Sequence, residues 1–384
     1  MRRSVCVVSS GRADYGLLFW PMREIQKASE LELQTVVTGM HLASEYGMTV
    51  NRFVDDGFPV SKRVEMLLSG DSPQATSKSL GLAVIGFADA FEQLQSDIIL
   101  LLGDRFEIFA AAQAALIARI PVAHLFGGDT TEGAFDEAFR HAITKMSHLH
   151  FVSNKLSGQR VIQLGENPEN VHVVGSTGLD ALRRTSFLER KEFFDSIGFI
   201  PREKNMLLTF HPVTLGIRSS GEDFWQLLKA LDKLGDGYGL IFTRPNADTE
   251  GGILNEMLSS FVESHSNAKA YNVLGEKYLS ALKHVDAVVG NSSSGIYEVP
   301  SFGIATVNIG DRQKGRLQAT SVINCPAEKN EIIQAIQRAL REDFSGTTNP
   351  YGDGKASECI AQVLSSLEEP ETLLQKHFFM TGVA

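Results

Sequence analysis

The chain has 384 residues, 43% hydrophobic and 21% charged, which is ordinary composition for a globular protein large enough to form two domains. Its net charge of −10 argues against a nucleic-acid-binding surface, because such surfaces depend on clustered Lys and Arg. The first apolar run is too short for a signal peptide or a membrane span, and the three cysteines lack CxxC spacing, so the sequence predicts a cytoplasmic protein with free thiols and no membrane partner.

Short apolar runs alternate with amphipathic stretches through the first half of the chain. The first strand is predicted at residues 4–9, followed by a loop at 11–16 and a helix from about residue 17. The further strands of this half are predicted at 33–38, 98–102, 120–126, 148–153 and 171–175. This strand–helix–strand rhythm is typical of a parallel, doubly wound sheet.

The rhythm restarts after a polar, charged stretch that begins at residue 179. The strands of this second half are predicted at 206–210, 239–243, 268–274, 286–290 and 305–309. We therefore predict an α/β protein with two Rossmann-like domains that face a central cleft. The first domain covers 1–178, with a C-terminal helix at 357–384 packing back onto it, and the second, nucleotide-binding domain covers 179–356.

Charged side chains follow two neighbouring strands in the middle of the chain. Asp104 and Arg105 come directly after the apolar run at 98–102, and Asp129 follows a Gly-Gly pair after the next strand. Asp136 and Arg140 then lie on a predicted helix. Because the carboxyl ends of parallel strands meet at one edge of the sheet, these groups converge there. The pattern predicts an acid/base site that faces an anionic sugar substrate.

A structural explanation competes with this interpretation on the predicted helix. Asp136 and Arg140 are spaced i,i+4, as are Glu137 and His141, and such pairs are commonly surface salt bridges. Their position after a Gly-Gly-Asp strand end favours the site.

A second candidate site is the segment NSSSGIYE at 291–298, which follows a strand. The hydroxyls of Ser292 and Ser293, with N–H groups at a helix N-terminus, are suited to a diphosphate, and Glu298 one turn later is suited to ribose hydroxyls. The alternative is a serine-rich helix cap. Arg312 follows another strand end and either neutralises the diphosphate or lies in a solvated loop.

His211 also ends a strand, where it could donate to a phosphate or act as an acid on the leaving group, although a lone histidine is often structural. Neither a cofactor nor a metal is predicted. The turn after the first strand lacks GxGxxG, and His148 and His150 alternate along a strand without a third ligand at a useful spacing.

Together these segments resemble the hydrolysing UDP-N-acetylglucosamine 2-epimerases. The resemblance covers nearly the whole chain through GRADYG, VVTGMH, LGDRFE, GGD…DEAFRHAITKMSHLHF, FHPVT, NSSSG, NIGDRQKGR and NPYGDG. It implies the GT-B fold, a UDP-sugar bound in the cleft, and a homodimer or homotetramer. The implied reaction eliminates UDP from UDP-N-acetylglucosamine to give 2-acetamidoglucal, then adds water to release N-acetylmannosamine.

The resemblance also implies roles for individual residues. Asp104, Asp129 and Asp136 become the acid/base candidates, and His211 acts at the leaving group or contacts the nucleotide. The residues implied to bind substrate are Arg12, Arg105, Arg140, His141, Asn246, Ser292, Ser293, Glu298 and Arg312.

The chain departs from the family at Asp129, where Glu is usual, and at Phe126, where His is common. The shorter side chain sets its carboxylate back by about 1 Å, a displacement that can cost about 100-fold in rate unless the backbone compensates. The segment at 130–135 resembles the subgroup that acts on UDP-N,N′-diacetylbacillosamine in legionaminic acid synthesis. A non-hydrolysing epimerase, a GT-B glycosyltransferase and a non-catalytic UDP-sugar sensor are also compatible with these segments.

Overall fold

Two parallel β-sheets, one in each part of the chain, organise the fold. The computed structural model describes residues 2–69, 72–130, 136–212, 219–244 and 251–382. The chain divides into unit 1, which comprises Met1–Ala181 and Tyr351–Ala384, and unit 2, which comprises Leu182–Pro350. Among the described helices, none combines the length and the apolar character needed to cross a lipid bilayer.

The sheet of unit 1 has seven parallel strands. They are β1 (Arg3–Ser9), β2 (Leu31–Thr38), β3 (Lys62–Val64), β4 (Ile98–Leu102), β5 (Val122–Leu125), β6 (Leu149–Val152) and β7 (Val171–Val173). Their order is β3-β2-β1-β4-β5-β6-β7. The order reverses between β1 and β4, and the loops that follow these two strands therefore flank the crevice in which such sheets bind ligands.

Helices cover both faces of this sheet, which is why every residue of β4 is buried. The helices before unit 2 are α1 (Arg12–Lys27), α2 (Asn51–Asp55), α3 (Pro73–Leu94), α4 (Phe106–Ala118), α5 (Asp136–Met146), α6 (Lys155–Gln163) and, across the unit boundary, α7 (Asp180–Arg184). Leu18 and Met22 of α1 pack on one face, whereas Phe87 and Phe91 of α3 pack on the other.

The loop predicted at residues 11–16 is wrong, because α1 already begins at Arg12. The side chain of Asp14 in the first turn accepts hydrogen bonds from the Ser10 hydroxyl, at 2.5 Å, and from the Ser10 backbone N–H, at 3.3 Å. The carboxylate ties the end of β1 to the helix, so the chain turns at Gly11 without a longer loop.

Unit 2 repeats the strand order of unit 1. Its strands are β8 (Lys204–Thr209), β9 (Tyr238–Thr243), β10 (Ala268–Tyr271), β11 (Ala287–Gly290), β12 (Ala305–Ile309) and β13 (Val322–Cys325), all parallel, in the order β10-β9-β8-β11-β12-β13. Its helices are α8 (Arg190–Ile197), α9 (Ser220–Leu234), α10 (Gly251–Ser264), α11 (Tyr278–His284), α12 (Ser294–Tyr297) and α13 (Lys329–Arg341). The edge strand β13 is absent from the sequence prediction, because its four residues are too short and too mixed in polarity to stand out.

The chain returns to unit 1 through α14 (Ala356–Ser366), whose Ile360 and Leu364 join the apolar cluster around α1. The predicted helix at 357–384 is therefore too long. It ends at Ser366. The helical conformation is disfavoured for a residue that precedes proline, so Glu369 does not continue the helix, and Pro370 begins a short 3-10 turn.

Asp180 fixes the point at which α14 begins. This buried carboxylate accepts hydrogen bonds from the backbone N–H groups of Ala356, at 3.0 Å, and Ser357, at 2.7 Å.

We expect Asp180→Ala to destabilise the docked start of α14 by about 2 kcal/mol, because two helix N–H groups lose their charged acceptor. Hydrogen exchange measured by mass spectrometry across 356–366 should accelerate, whereas the exposed Asp353→Ala serves as the control. Unchanged protection in Asp180→Ala would contradict this role.

Candidate active site

Arg140 on α5 joins the strand ends of unit 1. Its guanidinium donates through Nη2 to Oδ2 of Asp104, which follows β4, and through Nη1 to the backbone carbonyl of Asp129, at 2.7 Å, in the loop after β5. Glu137, one turn earlier on α5, lies 3.6 Å from the same guanidinium. The structure thus brings Asp104, Asp129 and Arg140 together at the carboxyl edge of the sheet.

The surroundings of Asp104 shift the pKa of its carboxyl. Burial raises the pKa of its carboxyl, the Arg140 charge opposes this, and the nearby negative charge of Asp136 raises the pKa further. Two carboxylates of like charge at one sheet edge favour protonation of one of them. The pair Asp104 and Asp136 therefore has the electrostatics of an acid/base site.

The loop that carries Asp129 is docked on the first turn of α6. Oδ1 of Asp129 accepts hydrogen bonds from the hydroxyls of Ser153 and Ser157, each at 2.6 Å. Gly128 has φ +76°, and a Cβ there would lie 2.2 Å from the carbonyl oxygen of Ser157, so the close approach requires glycine. Neither serine was predicted from the sequence, although Ser153 directly follows β6.

The other candidates of unit 1 lie at the same edge. Arg105 donates from Nε and Nη2 to the two carboxylate oxygens of the buried Glu107, at 3.2 and 2.9 Å. His141 lies on α5 with Nε2 3.3 Å from Oε1 of Glu137. Arg12 is exposed at the first residue of α1. Arg105 is therefore committed to a buried partner, whereas Arg12 extends into solvent.

In unit 2 the buried Asn291 organises the equivalent edge, between β8 and β11. Its Oδ1 accepts the backbone N–H of His211, at 2.7 Å, and its Nδ2 donates to the His211 carbonyl, at 2.8 Å. The backbone carbonyl of Asn291 accepts hydrogen bonds from the side chains of Arg312, at 3.0 Å, and Gln313, at 2.8 Å. The side chain of Asn291 thus holds the backbone of His211, and its backbone carbonyl, at the start of the serine loop, holds Arg312 and Gln313. The sequence prediction included Asn291 in the segment at 291–298 but gave it no role of its own.

The serine loop follows Gly290, where a Cβ would lie 1.9 Å from the carbonyl oxygen of Thr209. Ser292 and Ser293 are half-buried, and Ser292 Oγ accepts the N–H of Ser294 at 3.4 Å. The helix that follows, α12, has only four residues. Anion binding here would depend more on the hydroxyls and on Arg312 than on a helix dipole.

Glu298 lies at the end of α12 with its carboxyl almost enclosed. Its side chain is hydrogen-bonded to Ser294, whose hydroxyl also contacts the Tyr278 hydroxyl. Oε2 is buried and has no hydrogen-bond partner among the described residues. Burial raises the pKa of Glu298 to about 7 and also raises the pKa of Tyr278. A buried acceptor of this kind fits a hydroxyl donor from a ligand.

Some sequence candidates lie elsewhere. Asn246 and the segment at 131–135 are outside the described residues. Nδ1 of His148 accepts the Val122 N–H, at 3.1 Å, and Nε2 of His150 lies 3.0 Å from Oε2 of Glu166. Across the part of the chain that the structure describes, no group of three or more His, Cys, Asp and Glu side chains is arranged to hold a metal ion.

The raised pKa of Glu298 makes the stability of unit 2 depend on pH. An unfolded glutamate ionises near pH 4.5, whereas the folded carboxyl stays protonated up to about pH 7, so stability falls as pH rises between these values. Glu298→Gln removes this titration. We expect the advantage of the variant in thermal denaturation to grow from pH 5 to pH 8, by about 3 kcal/mol in all. The exposed Glu342→Gln is the control, and a pH-independent difference would contradict the prediction.

The sequence matches a known family along most of its length. The profile described as UDP-N-acetylglucosamine 2-epimerase matches residues 23–365. A Campylobacter jejuni protein named GDP/UDP-N,N′-diacetylbacillosamine 2-epimerase (hydrolyzing) is 40% identical over 345 residues, 89% of each chain. A Legionella pneumophila protein named UDP-N,N′-diacetylbacillosamine 2-epimerase (hydrolyzing) is 36% identical over 98% of this chain and 99% of its own.

Two further similarities concern proteins named for the simpler sugar. A Neisseria meningitidis UDP-N-acetylglucosamine 2-epimerase is 31% identical over 98% of this chain and 99% of its own. A solved structure titled UDP-GlcNAc 2-epimerase from Neisseria meningitidis bound to UDP-GlcNAc superposes with a TM-score of 0.75 at 18% identity, covering 94% of this chain and 99% of that one. The structural match confirms the predicted α/β GT-B fold, and the matches in sequence show that this chain is an enzyme of the hydrolysing UDP-N-acetylglucosamine 2-epimerase family.

Proposed function

We propose that this enzyme converts a nucleoside-diphosphate N,N′-diacetylbacillosamine and water to the free C2 epimer of the sugar and the nucleoside diphosphate. The arrangement that supports the chemistry is the Arg140 centre, which places Asp104 beside the loop of Asp129. The choice of sugar rests on the names of the relatives at 40% and 36% identity. The UDP-sugar expected from the sequence is therefore, in this proposal, the nucleotide of a diacetamido sugar.

The reaction needs a leaving group at C1 and a proton acceptor at C2. The C2 proton is not acidic beside an acetal carbon, so the C1–O bond breaks largely first and positive charge develops on the ring. Loss of the C2 proton to a carboxylate then forms the C1=C2 double bond. Water adds its oxygen to C1, and a proton is delivered to the opposite face of C2. Carboxylates stabilise the ring charge and move both protons, whereas cations stabilise the departing diphosphate.

The side chains of unit 1 fit the proton transfers. We assign the proton-donor role to Asp104, whose pKa is raised by burial, and the acceptor role to Asp129, whose Oδ1 is held by hydrogen bonds from two hydroxyls. The like charge of Asp136 adds to the effect of burial in raising the pKa of Asp104. We assign contacts with the sugar to Arg140 and His141, and to Arg105, which Glu107 holds at the same edge of the sheet.

The side chains of unit 2 fit the nucleotide. We assign the diphosphate to Ser292, Ser293 and Arg312, and a ribose hydroxyl to the buried Oε2 of Glu298. His211, held through its backbone by Asn291, acts on the leaving phosphate. Arg12 and Asn246 stay assigned to substrate binding from the sequence alone, as do the cytoplasmic location, the homodimer or homotetramer and the place in sialic or legionaminic acid synthesis.

A second candidate substrate is UDP-N-acetylglucosamine, the simpler sugar nucleotide in the sequence prediction. The 31% identity to the Neisseria meningitidis enzyme over almost the whole chain favours it. The bonds that change lie at C1 and C2 in both sugars, so the same carboxylates serve either reaction.

Proton NMR in D2O separates the candidates. The purified enzyme is incubated with UDP-N,N′-diacetylbacillosamine, its GDP counterpart or UDP-N-acetylglucosamine, without added metal. We expect free nucleoside diphosphate and a C2-epimeric sugar carrying deuterium at C2, formed fastest from a diacetylbacillosamine nucleotide. Faster turnover of UDP-N-acetylglucosamine would reverse the order of the two proposals. Binding of all three without turnover would indicate a UDP-sugar sensor and refute the proposed function.

Arg140→Lys tests the centre of the site. A lysine presents one compact charge and cannot span both Asp104 and the Asp129 carbonyl as the guanidinium does. We expect the turnover number to fall about 100-fold, while the affinity for UDP stays within about twofold. Arg338→Lys, in an exposed pair with Glu342, is the matched control. An Arg140→Lys enzyme with full turnover would rule out the spanning role.

A further inference from the structure

The loop after β5 is fixed to α6 by the backbone of Gly128 and by the side chain of Asp129. The close approach of Gly128 to Ser157 leaves no space for a side chain, and Arg160 on α6 donates to the Gly128 carbonyl at 3.0 Å. The backbone that precedes Asp129 is therefore held from two directions. A short aspartate side chain can be placed accurately only if its backbone is fixed in this way.

The Asp129 carboxylate itself is held by two hydroxyls. Both Ser153 and Ser157 donate to Oδ1, at 2.6 Å each, and so occupy its two lone pairs. A carboxylate oxygen that already accepts two short hydrogen bonds is a poor proton acceptor. Proton exchange is thereby directed to the other oxygen, Oδ2.

Asn154 orients the Ser153 hydroxyl and fixes the backbone of Ser157. Its Nδ2 donates to Ser153 Oγ at 2.9 Å, which leaves the Ser153 hydrogen to point at Asp129. Its Oδ1 accepts the backbone N–H of Ser157 at 3.0 Å as the N-cap of α6, which fixes the residue that carries the second hydroxyl. The motif Ser-Asn-x-x-Ser at 153–157 is thus one connected unit whose free hydrogens converge on a single oxygen.

We propose that Ser153 and Ser157 are positioning residues that lock the Asp129 carboxylate, so that Oδ2 alone exchanges the proton at C2 of the sugar. The proposal rests on the proposed function. It also bears on the aspartate at a position where the resemblance leads one to expect glutamate, because the two hydroxyls hold the shorter side chain in a single orientation.

The expected effect is on turnover and not on nucleotide binding. Ser153→Ala and Ser157→Ala should each lower the turnover number about tenfold, and the double variant should lower it about 100-fold, since a freely rotating carboxylate is misplaced on the scale of 1 Å. The dissociation constant for UDP should stay within about twofold. Ser157→Thr, which keeps the hydroxyl, should retain most of the wild-type turnover number, in contrast to Ser157→Ala.

A double-mutant cycle with Asp129→Asn separates positioning from folding. Without the carboxylate the serines have nothing to lock, so the double alanine change should leave the residual rate of Asp129→Asn unaltered within about twofold. Ser147→Ala is the matched control, because this buried hydroxyl donates only to the backbone carbonyl of Ile143, at 2.7 Å. Its rate should equal that of the wild type.

Two results would overturn the proposal. One is full turnover in the double alanine variant, and the other is an equal loss in the wild-type and Asp129→Asn backgrounds, which would indicate a purely structural role. If the double variant does not fold, the two single variants and Ser157→Thr decide by the same comparison. A wild-type enzyme that turns over none of the three nucleotide sugars refutes the proposed function instead, and that result is obtained before any serine variant is made.

Discussion

The site of unit 1 depends on one nearly buried cation among several carboxylates. Arg140 exposes about 9% of its side chain and meets Asp104, Glu137 and the carbonyl of Asp129 within one guanidinium. Removing such a group would leave like charges facing each other in a poorly solvated place, which is more costly than losing one hydrogen bond. The same cation does not cancel the cost of burial, since the pKa of Asp104 stays raised beside it. The cluster is therefore held together by the cation while burial still raises the pKa of one of its carboxyls.

Unit 2 builds the equivalent strand edge with the neutral amide of Asn291. This side chain is hydrogen-bonded to both the backbone N–H and the backbone carbonyl of His211. The backbone carbonyl of Asn291 accepts hydrogen bonds from Arg312 and Gln313. Arg312 and the hydroxyls of Ser292 and Ser293 at this edge are groups of the kind that bind an anion. The carboxylates of unit 1 suit the opposite task, that of stabilising positive charge on a sugar ring. The two units share a strand order and differ in the sign of the charge that they are equipped to meet.

The strand ends, and with them Asp104, Asp129 and Arg140, could be predicted from the sequence because buried parallel strands appear as continuous apolar runs that stop at glycine. The start of α1 could not, since it depends on the Asp14 carboxylate reaching back to Ser10. Ser153 and Ser157 were missed for a related reason, and so was the organising role of Asn291 within the predicted segment. A serine or asparagine after a strand fits a local cap equally well, and only the folded chain decides which neighbouring groups its polar atoms contact.

Helix α5 is held at both ends by groups that are distant in sequence. Its first turns contact the site through Arg140, and at its other end Lys376 donates to the carbonyls of Lys145, at 2.9 Å, and Ser147, at 2.6 Å. The Lys376 ammonium also lies 2.6 Å from Glu166, whose pKa is held at about 2 because hydrogen bonds from His150, Lys145 and Lys376 outweigh its burial. A cation at a helix C-terminus is favoured by the helix dipole. The return of the chain to unit 1 thus stabilises the helix that presents Arg140, which explains how a segment without site residues contributes to the geometry of the site.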